Sequence, residues 1–289
     1  GLLGGGMLFM PNWSYALPSG GQVVTNNGTI TAGGKVMDIT GSGNVAIDWN
    51  SFNIAADEIV NFKNMQAVLN YVSGGSKSEI FGKLNGAGVN VFLVNPNGIL
   101  FGKTAQVNVG QLTASTRSLE KAALNSFNGS LSPLDAGGAA NVKADIINLG
   151  KLKAGKLVLE GNNLSIIGAD SLEVADKSKI TLRAGENINI GYEVTDKTTI
   201  DVGDGKGNTH QVSDYGKGGG DKASDVLSTA SVTDLKGSAK SINDAMLVHD
   251  VYELQAIDRN TGTINGSSYV VGNYMLTGDI DAGDTKNWN

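Results

Sequence analysis

The side chains that most often carry catalysis or bind metals are few in this sequence and lie far apart. There are two histidines, His210 and His249, and no cysteine. Neither histidine belongs to a Ser/His/Asp order with a strained glycine elbow, the arrangement that activates a serine nucleophile. The lack of cysteine excludes thiolate zinc sites and a disulfide framework. We therefore expect both histidines to be solvated or to cap a secondary-structure element, and we predict no catalytic residue.

Two groups of carboxylates and one glycine-rich stretch that ends in an aspartate are the next candidates, because Ca²⁺ prefers carboxylate oxygens. They are Asp196, Asp201 and Asp204; the stretch Gly218-Gly219-Gly220-Asp221; and Asp279, Asp281 and Asp284. None has the spacing of a calcium hand, which needs ligands at alternate positions and a glutamate at the twelfth. The glycine-rich stretch occurs once and not as a repeat. We predict solvated loops here, with no metal and no cofactor.

A row of acidic and basic side chains along one groove would indicate an enzyme that acts on acidic polysaccharides. The sequence contains three widely separated arginines: Arg117, Arg183 and Arg259. Asp170 and Asp176 have no basic partner at the spacing of a structural repeat. Such an enzyme remains an open alternative, as does a glycan-binding domain that uses Trp49. Trp49 ends an alternating apolar segment, however, so we expect it in the core.

Composition favours an all-β protein with many corners. The 289 residues include 41 glycines and only 4 prolines, and short apolar runs are separated by asparagine and glycine. Such residues form turns, and no segment has a convincing helical period. The formal net charge of −6 gives no basic surface for nucleic acid.

The most informative turn signal is Asn95-Pro96-Asn97-Gly98, which separates the apolar runs Val91–Val94 and Ile99–Phe101. Asparagine at the first position can accept a hydrogen bond from its own backbone two residues on, and proline presets φ at the second. Gly98 can take a positive φ at the exit. The flanking runs are typical of buried strands. The turn could close a hairpin or bend the chain onto the next face of a solenoid.

The context of this turn closely resembles the secretion domain of two-partner secretion exoproteins, the filamentous haemagglutinin family (haemagglutination activity domain). In that family the Asn-Pro-Asn-Gly motif is a characteristic mark. The further matching segments occur in the family's order: residues 17–21, 47–54, 60–62, 67–70 and 99–116. The family's second mark, Asn-Pro-Asn-Leu, is missing, because the nearest string, Gly161–Leu164, lacks the proline.

An internal repeat independently predicts the architecture. Lys156–Leu159 recurs as Lys179–Leu182, at an offset of 23 residues. A period in the low twenties, with short strands and glycine corners, is typical of a stacked solenoid. The leucine and asparagine pattern of leucine-rich repeats is missing. We predict a right-handed parallel β-helix over most of residues 20–192, with short antiparallel strands in a cap or in excursions.

The sequence suggests four regions. Residues 1–16 resemble the remnant of a signal peptide, since a short apolar run precedes Ser14-Tyr15-Ala16. Residues 17–192 form the β-helical two-partner secretion domain. Residues 193–245 are polar and glycine-rich, which predicts an excursion or linker. Residues 246–289 are expected to begin a further β-rich passenger module.

The resemblance implies a secretion signal and not an enzyme. In this family the domain passes through the periplasm and is recognised there by the periplasmic domains of an outer-membrane β-barrel transporter. The exported protein folds at the bacterial cell surface, where its β-helix nucleates folding of the passenger. The passenger is expected to be an adhesin or haemagglutinin that engages host-cell or bacterial-surface ligands. The resemblance assigns the turn motif Asn95, Pro96, Asn97 and Gly98 to transporter recognition.

Overall fold

A computed structural model describes residues 17–201, 207–259, 261–264, 267–270 and 272–287. The predicted signal-peptide segment, residues 1–16, lies outside these ranges. The described chain begins with four strands: β1 (Gln22–Val23), β2 (Gly28–Gly33), β3 (Val36–Gly41) and β4 (Asn44–Trp49). Strand β1 pairs antiparallel with β4, and β2 pairs antiparallel with β3. These pairs form the antiparallel cap that the sequence predicted.

The chain then winds through short strands linked by tight corners. They are β5 (Ile59–Lys63), β6 (Ala67–Val72), β7 (Ser78–Ile80), β8 (Lys83–Val94), β9 (Ile99–Phe101), β10 (Gln106–Ser115), β11 (Ile146–Asn148), β12 (Lys151–Lys153), β13 (Lys156–Gly161), β14 (Leu164–Ile166), β15 (Leu172–Glu173), β16 (Ile180–Ala184) and β17 (Ile188–Tyr192). Two 3-10 helices flank β15: Ala169–Ser171 and Lys177–Lys179.

These strands stack into three columns of parallel pairs. The first column runs β3, β5, the start of β8, the start of β10, β12 and β15. The second runs β4, β6, the end of β8, the end of β10, β13 and β16. The third runs β7, β9, β11, β14 and β17. Leu157 lies opposite Ile180, so the repeat seen in the sequence is the stacking period. The predicted parallel β-helix is confirmed.

The core lies inside the coil and follows from strand alternation. Side chains two residues apart point to the same face of a strand. Val45, Ile47 and Trp49 accordingly point inward and are almost wholly buried, and Phe52 and Ile54 continue the same interior. Each turn stacks its apolar side chains on those of the next turn. The coil is therefore stabilised mainly by contacts between neighbours at the repeat spacing.

Residues 117–145 leave the coil and cover part of its outer surface. This excursion contains α1 (Lys121–Asn125) and α2 (Ala136–Ala140). Leu124 and Phe127 pack on the outward side chains of the second column, including Leu69 and Phe92. The Phe92 and Phe127 rings meet edge to face at 5.3 Å. Ala46, on the outward side of β4, is therefore also buried.

Parallel pairing continues past residue 192, where the sequence had placed the end of the β-helix. The remaining elements are β18 (Lys197–Asp201), β19 (Thr209–Ser213), α3 (Ala223–Val226), β20 (Ser231–Thr233), β21 (Asn243–Val248), α4 (Val251–Ala256), the 3-10 helix Ile257–Arg259, β22 (Thr261–Ile264), β23 (Ser267–Val270), β24 (Tyr274–Leu276) and the 3-10 helix Gly283–Asn287. Strand β20 pairs with β16, β21 with β17 and β24 with β21. Strands β18 and β19 form an antiparallel hairpin, as do β22 and β23.

The predicted excursion over residues 193–245 is therefore too long, because its last part returns to the coil. The glycine-rich composition around Gly216–Asp221 predicted a linker, and the strands β20 and β21 that follow it were therefore not recognised. Ala223, Leu227 and Ala245 are buried, and these apolar residues are the signal that a boundary drawn from composition overlooks. Among the described residues, no helix is long and apolar enough to cross a membrane.

Candidate functional site

The Asn-Pro-Asn-Gly turn lies at a corner of the coil, between the second and third columns. It joins the end of β8 to the start of β9, and these strands pair with other turns of the coil and not with each other. The Gly98 amide donates to the Asn95 carbonyl oxygen over 3.1 Å, which closes the turn. The solenoid corner is therefore correct, and the hairpin alternative is wrong.

Asn95 is fully buried, and its side chain joins this corner to the preceding one. Its Nδ2 donates to the Ser76 carbonyl oxygen and to Ser78 Oγ, each over 3.0 Å. Its Oδ1 accepts a hydrogen bond from the Asn97 amide at 2.9 Å, which confirms the local bond predicted from asparagine at the first turn position. The upstream partners Ser76 and Ser78 were not found from the sequence, since nothing there marks them as neighbours of Asn95.

Asn97 is the most exposed residue of the motif, and Pro96 is half-buried. The Asn97 Nδ2 donates to the Gly74 carbonyl oxygen over 2.7 Å and to Asn95 Oδ1 over 3.2 Å. Two asparagines thus bind two carbonyl groups of the preceding corner. In the folded domain, a partner at this corner would contact chiefly Asn97 and the edge of Pro96.

Gly98 has a φ of +114°, which side chains of L-residues rarely adopt. A Cβ at this position would lie 3.3 Å from the Asp145 carbonyl oxygen. That carbonyl also accepts the Ile99 amide over 3.1 Å, so the corner contacts the end of the 117–145 excursion. The predicted positive φ is confirmed.

A ladder of polar side chains continues this corner along the third column. Asp145 Oδ1 accepts hydrogen bonds from the Asn163 amide and Nδ2, at 2.9 and 3.1 Å. Asn163 Oδ1 in turn accepts hydrogen bonds from the Asn187 amide and Nδ2, at 3.1 and 3.2 Å. Each of these residues immediately precedes a strand of the third column, as Gly98 does. The ladder keeps successive corners in register.

The excursion over residues 117–145 is anchored by a buried ion pair. Arg117 Nε and Nη2 donate to the two oxygens of Glu160 over 2.7 and 2.8 Å, and the Arg117 and Glu160 side chains are 7% and 2% exposed. Ser115 Oγ donates to Glu160 Oε1 over 2.7 Å, and Arg183 Nη1 lies 3.3 Å from Oε2. Burial would raise the pKa of Glu160, but the hydrogen bonds and positive charge of Arg117 outweigh it and lower that pKa.

This ion pair was not predicted from the sequence, because the local pattern around Glu160 does not indicate a buried partner. Glu160 occupies an outward position on a strand whose inward residues are Leu157 and Leu159. An outward charge is ordinary on a solvated face, and nothing in the local pattern shows that the excursion will cover it. Arg117 is buried against Glu160 and so lines no open groove, whereas Arg183 binds the same carboxylate with a side chain that is 37% exposed.

The remaining candidates for enzyme or glycan chemistry are engaged elsewhere or buried. Asp170 forms an exposed ion pair with Lys151, and Asp176 caps the turn at Ser178. Trp49 is 1% exposed and donates from Nε1 to Asn70 Oδ1 over 3.1 Å, so its ring presents no surface to a glycan.

The histidines and carboxylate groups do not assemble a metal site within the described ranges. Asp204 lies outside the described residues. His210 stacks on the Tyr252 ring with 3.8 Å between centroids. His249 lies between two glutamates, Glu193 and Glu253, and is therefore not simply solvated.

The stacked strands and the corner motif together define a β-helical solenoid domain. The family model described as the TPS secretion domain matches residues 14–267, and the chain belongs to this family. The family is one of secretion domains and not of enzymes, and its members engage a cognate outer-membrane transporter.

Two curated relatives of this chain have the same name. A heme/hemopexin-binding protein of Haemophilus influenzae is 33% identical over 177 residues, which cover 59% of this chain and 19% of that protein. A second heme/hemopexin-binding protein of Haemophilus influenzae is 41% identical over 99 residues, which cover 33% of this chain and 11% of that protein. Both matches thus span about a fifth or less of the relative's length.

A solved structure, the HMW1 secretion domain from Haemophilus influenzae, shares 25% sequence identity with this chain at a TM-score of 0.43. That match covers 60% of this chain and 55% of the other.

Proposed function

We propose that this chain is the secretion signal domain of a large exported surface protein. The periplasmic domains of a cognate outer-membrane β-barrel transporter recognise it, and its β-helix nucleates folding of the passenger at the cell surface. The observation that carries this proposal is the match of the TPS secretion domain model to residues 14–267. The protein would reach the bacterial surface through the periplasm.

The coil is suited to templating because each turn needs only its neighbour to fold. A solenoid propagates from a folded end, since stability is a sum of repeat and nearest-neighbour terms. The third column continues through β21 to β24 near the end of the described chain. Each added strand would pair with the last one in the column. Folding outside the cell would then supply the direction of export without a nucleotide-binding site.

The corner motif could serve export in two ways, and the burial of Asn95 limits when the transporter could contact it. In the folded state the Asn95 side chain is fully buried, so a transporter cannot contact it there. If the transporter reads Asn95, it must do so before the coil closes, when extended segments can pair with a sheet edge by β-augmentation. Otherwise the motif acts by forming the corner early, and the transporter reads other residues.

Secreted yield and folded stability of the same variants test whether the motif serves export by more than stabilising the folded domain. The chain would be co-expressed with its transporter, and the fraction exported would be measured for Asn97→Ala and for the matched control Asn162→Ala. Asn162 lies at the equivalent corner of a later turn. We expect a lower exported fraction for Asn97→Ala at an almost unchanged thermal midpoint. Equal export of both variants at the wild-type level would show that the Asn97 side chain is not needed for recognition by the transporter.

The passenger is proposed to be an adhesin, the outcome that the family resemblance favours. The names of the two curated relatives support a second candidate, a passenger that binds haem or hemopexin. The full-length exported protein would be tested for retention on host cells and on hemin-agarose. Retention on cells alone would support the adhesin, and retention on hemin alone would support the second candidate.

A further inference from the structure

A second polar cluster lies at the far end of the coil, where the hairpin β18–β19 meets helix α4. Its centre is His249, the residue that precedes the helix N-cap Asp250. Nδ1 of His249 lies 2.7 Å from Glu253 Oε2, and Nε2 lies 2.9 Å from Glu193 Oε1. The imidazole therefore bridges the helix to the first residues after β17.

The two carboxylates differ in their surroundings. The Glu253 side chain is 6% exposed, whereas that of Glu193 is 60% exposed. Glu253 also accepts hydrogen bonds from Ser213 Oγ at 2.9 Å, from Lys197 Nζ at 3.1 Å and from the His249 amide at 2.9 Å. Burial opposes ionisation of Glu253, but the hydrogen bonds from the His249 ring and amide, from Ser213 and from Lys197 outweigh it and lower its pKa to about 2.

The geometry constrains the protonation of His249. An ionised carboxylate only accepts hydrogen bonds, so both ring nitrogens must carry a proton to donate to both glutamates. A neutral imidazole has a single N–H. Loss of one proton would leave a ring lone pair directed at a carboxylate oxygen. Because Glu253 is buried and ionised, the neutral ring would keep its proton on Nδ1, and the contact with Glu193 would be lost.

The other charged groups around the ring do not replace this contact. Lys197 binds Glu253 from β18, and Asp250 accepts the Glu253 amide over 2.8 Å at the start of the helix. Tyr215 donates its hydroxyl to the Leu247 carbonyl oxygen over 3.0 Å and lies 3.4 Å from Glu253 Oε2. Burial raises the pKa of Tyr215, so its hydroxyl remains a donor over the physiological range.

We propose that His249 is a pH-sensitive latch that holds Glu193 and the residues that follow it against helix α4 when the imidazole is protonated and releases them when the imidazole is neutral. Histidine is suited to this role because its ordinary pKa, about 6.5, lies within the physiological range. The latch would control how firmly Glu193 and the residues between it and β18 are held, while Lys197 and Ser213 keep the hairpin β18–β19 bound to Glu253. It is independent of the proposed role in secretion.

The direction of the effect follows from linkage. Burial would lower the pKa of His249, but the hydrogen bonds to Glu253 and Glu193 outweigh it and raise that pKa above 6.5. A raised pKa in the folded state means that the stabilisation is complete below the unfolded value of 6.5. It is lost as the pH rises through the folded value.

Spin labels can report the latch because the chain has no native cysteine. Cysteines would replace Thr195, two residues after Glu193, and Glu186 on an exposed corner of the coil, and their distance distribution would be measured from roughly pH 5 to pH 9. NMR titration of the histidine ring protons would give the pKa of His249 in the same protein. We expect one narrow distance at the acid end and a broader distribution above that pKa.

Three variants make the result specific. His249→Gln should show one distribution at every pH, and Glu193→Gln should move the transition toward pH 6.5. The other histidine gives a matched control, because His210→Gln should leave the transition unchanged. An unchanged distribution across the range in the unsubstituted chain would overturn the proposal. The same would follow if the transition persisted in His249→Gln or disappeared in His210→Gln.

Discussion

Asn95 and Ser78 lie on adjacent turns of the coil, and the Asn95 side-chain amide donates to the Ser78 hydroxyl over 3.0 Å. Both residues are fully buried. The first residue of the turn motif therefore does more than shape its own corner, because it also fixes that corner to the one before it. The sequence predicted only the bond within the turn.

Asn95→Ala should destabilise the folded domain more than Asn97→Ala does. Alanine at position 95 removes the Nδ2 donor from the buried Ser78 hydroxyl, and a buried unpaired group costs about 1–3 kcal/mol. Asn97 is exposed, so water can replace its bonds and the loss should be about 0.5–1.5 kcal/mol. Denaturant unfolding of both purified variants measures the difference. Equal losses would mean that burial of Asn95 does not decide its role.

Gly98→Val should lower stability by about 1–3 kcal/mol, because a β-branched residue tolerates a positive φ poorly. Gly98→Asn should cost less, since asparagine enters the left-handed region more readily. Gly75→Ala is the matched control in the preceding corner, where an added Cβ would meet nothing within 4 Å. Thermal midpoints and exported yields should fall in the order control, asparagine, valine. A valine variant with the thermal midpoint and exported yield of the wild type would show that residue 98 does not need a positive φ.

Arg117→Met should be among the most damaging single changes, because it leaves the Glu160 carboxylate buried with only part of its pairing. Removal of one partner of a buried ion pair typically costs about 3–5 kcal/mol. Arg117→Met combined with Glu160→Leu should recover part of that loss, since two apolar groups need no pairing. Unfolding free energies of the single and double variants give the coupling. A double variant as unstable as the sum of the two singles would argue against a direct interaction.

The ion pair between Arg117 and Glu160 makes the stability of the folded domain depend on pH. The pKa of Glu160 is lowered in the folded state, so its contribution to stability is complete above the unfolded value of 4.5. It is lost as the pH falls through the folded value. The stability of the wild type should therefore drop more steeply below pH 4.5 than that of Arg117→Met/Glu160→Leu. Parallel pH profiles would show that other carboxylates dominate acid unfolding.

Trp49→Phe should destabilise the core without emptying it. The ring would still fill most of the interior, but Asn70 Oδ1 would lose the indole N–H that it accepts at 3.1 Å. An unpaired buried acceptor costs about 1–3 kcal/mol. Asn70→Ala combined with Trp49→Phe should cost less than the sum of the two single changes, which a double-mutant cycle measures.

Trypsin should cut the folded domain first near Lys217 and Lys222. Both lysines are exposed and flank the glycine-rich stretch Gly218-Gly219-Gly220-Asp221, which buries little apolar surface. Mass spectrometry of early fragments locates the first cleavage. Lys156 and Lys179 are the comparison sites, because they flank paired strands of the coil. Earlier cleavage at either of them would contradict this order of local stability.

The sequence by itself determined the repeating part of the fold. Leu157 and Ile180 occupy equal positions in the two copies of the repeat, and they lie opposite each other in the parallel pair. The physical reason is that a solenoid places neighbours at a fixed offset along the chain. An apolar pattern that repeats at that offset therefore predicts both where the strands lie and which residues of neighbouring turns contact each other. Turn chemistry likewise predicted the backbone of the Asn95–Gly98 corner.

Only the tertiary structure decided which residues meet across the excursions. Arg117 reaches Glu160 across 43 positions and His249 reaches Glu193 across 56, and neither separation is the period of the coil. Ala46 is buried for the same reason. Leu124 and Phe127 of the 117–145 excursion pack near it, and that segment is not part of the repeat. The alternation of apolar and polar residues along a strand indicates which of its faces is apolar. What packs on the opposite face depends on where an excursion folds back, and that is set by the whole chain.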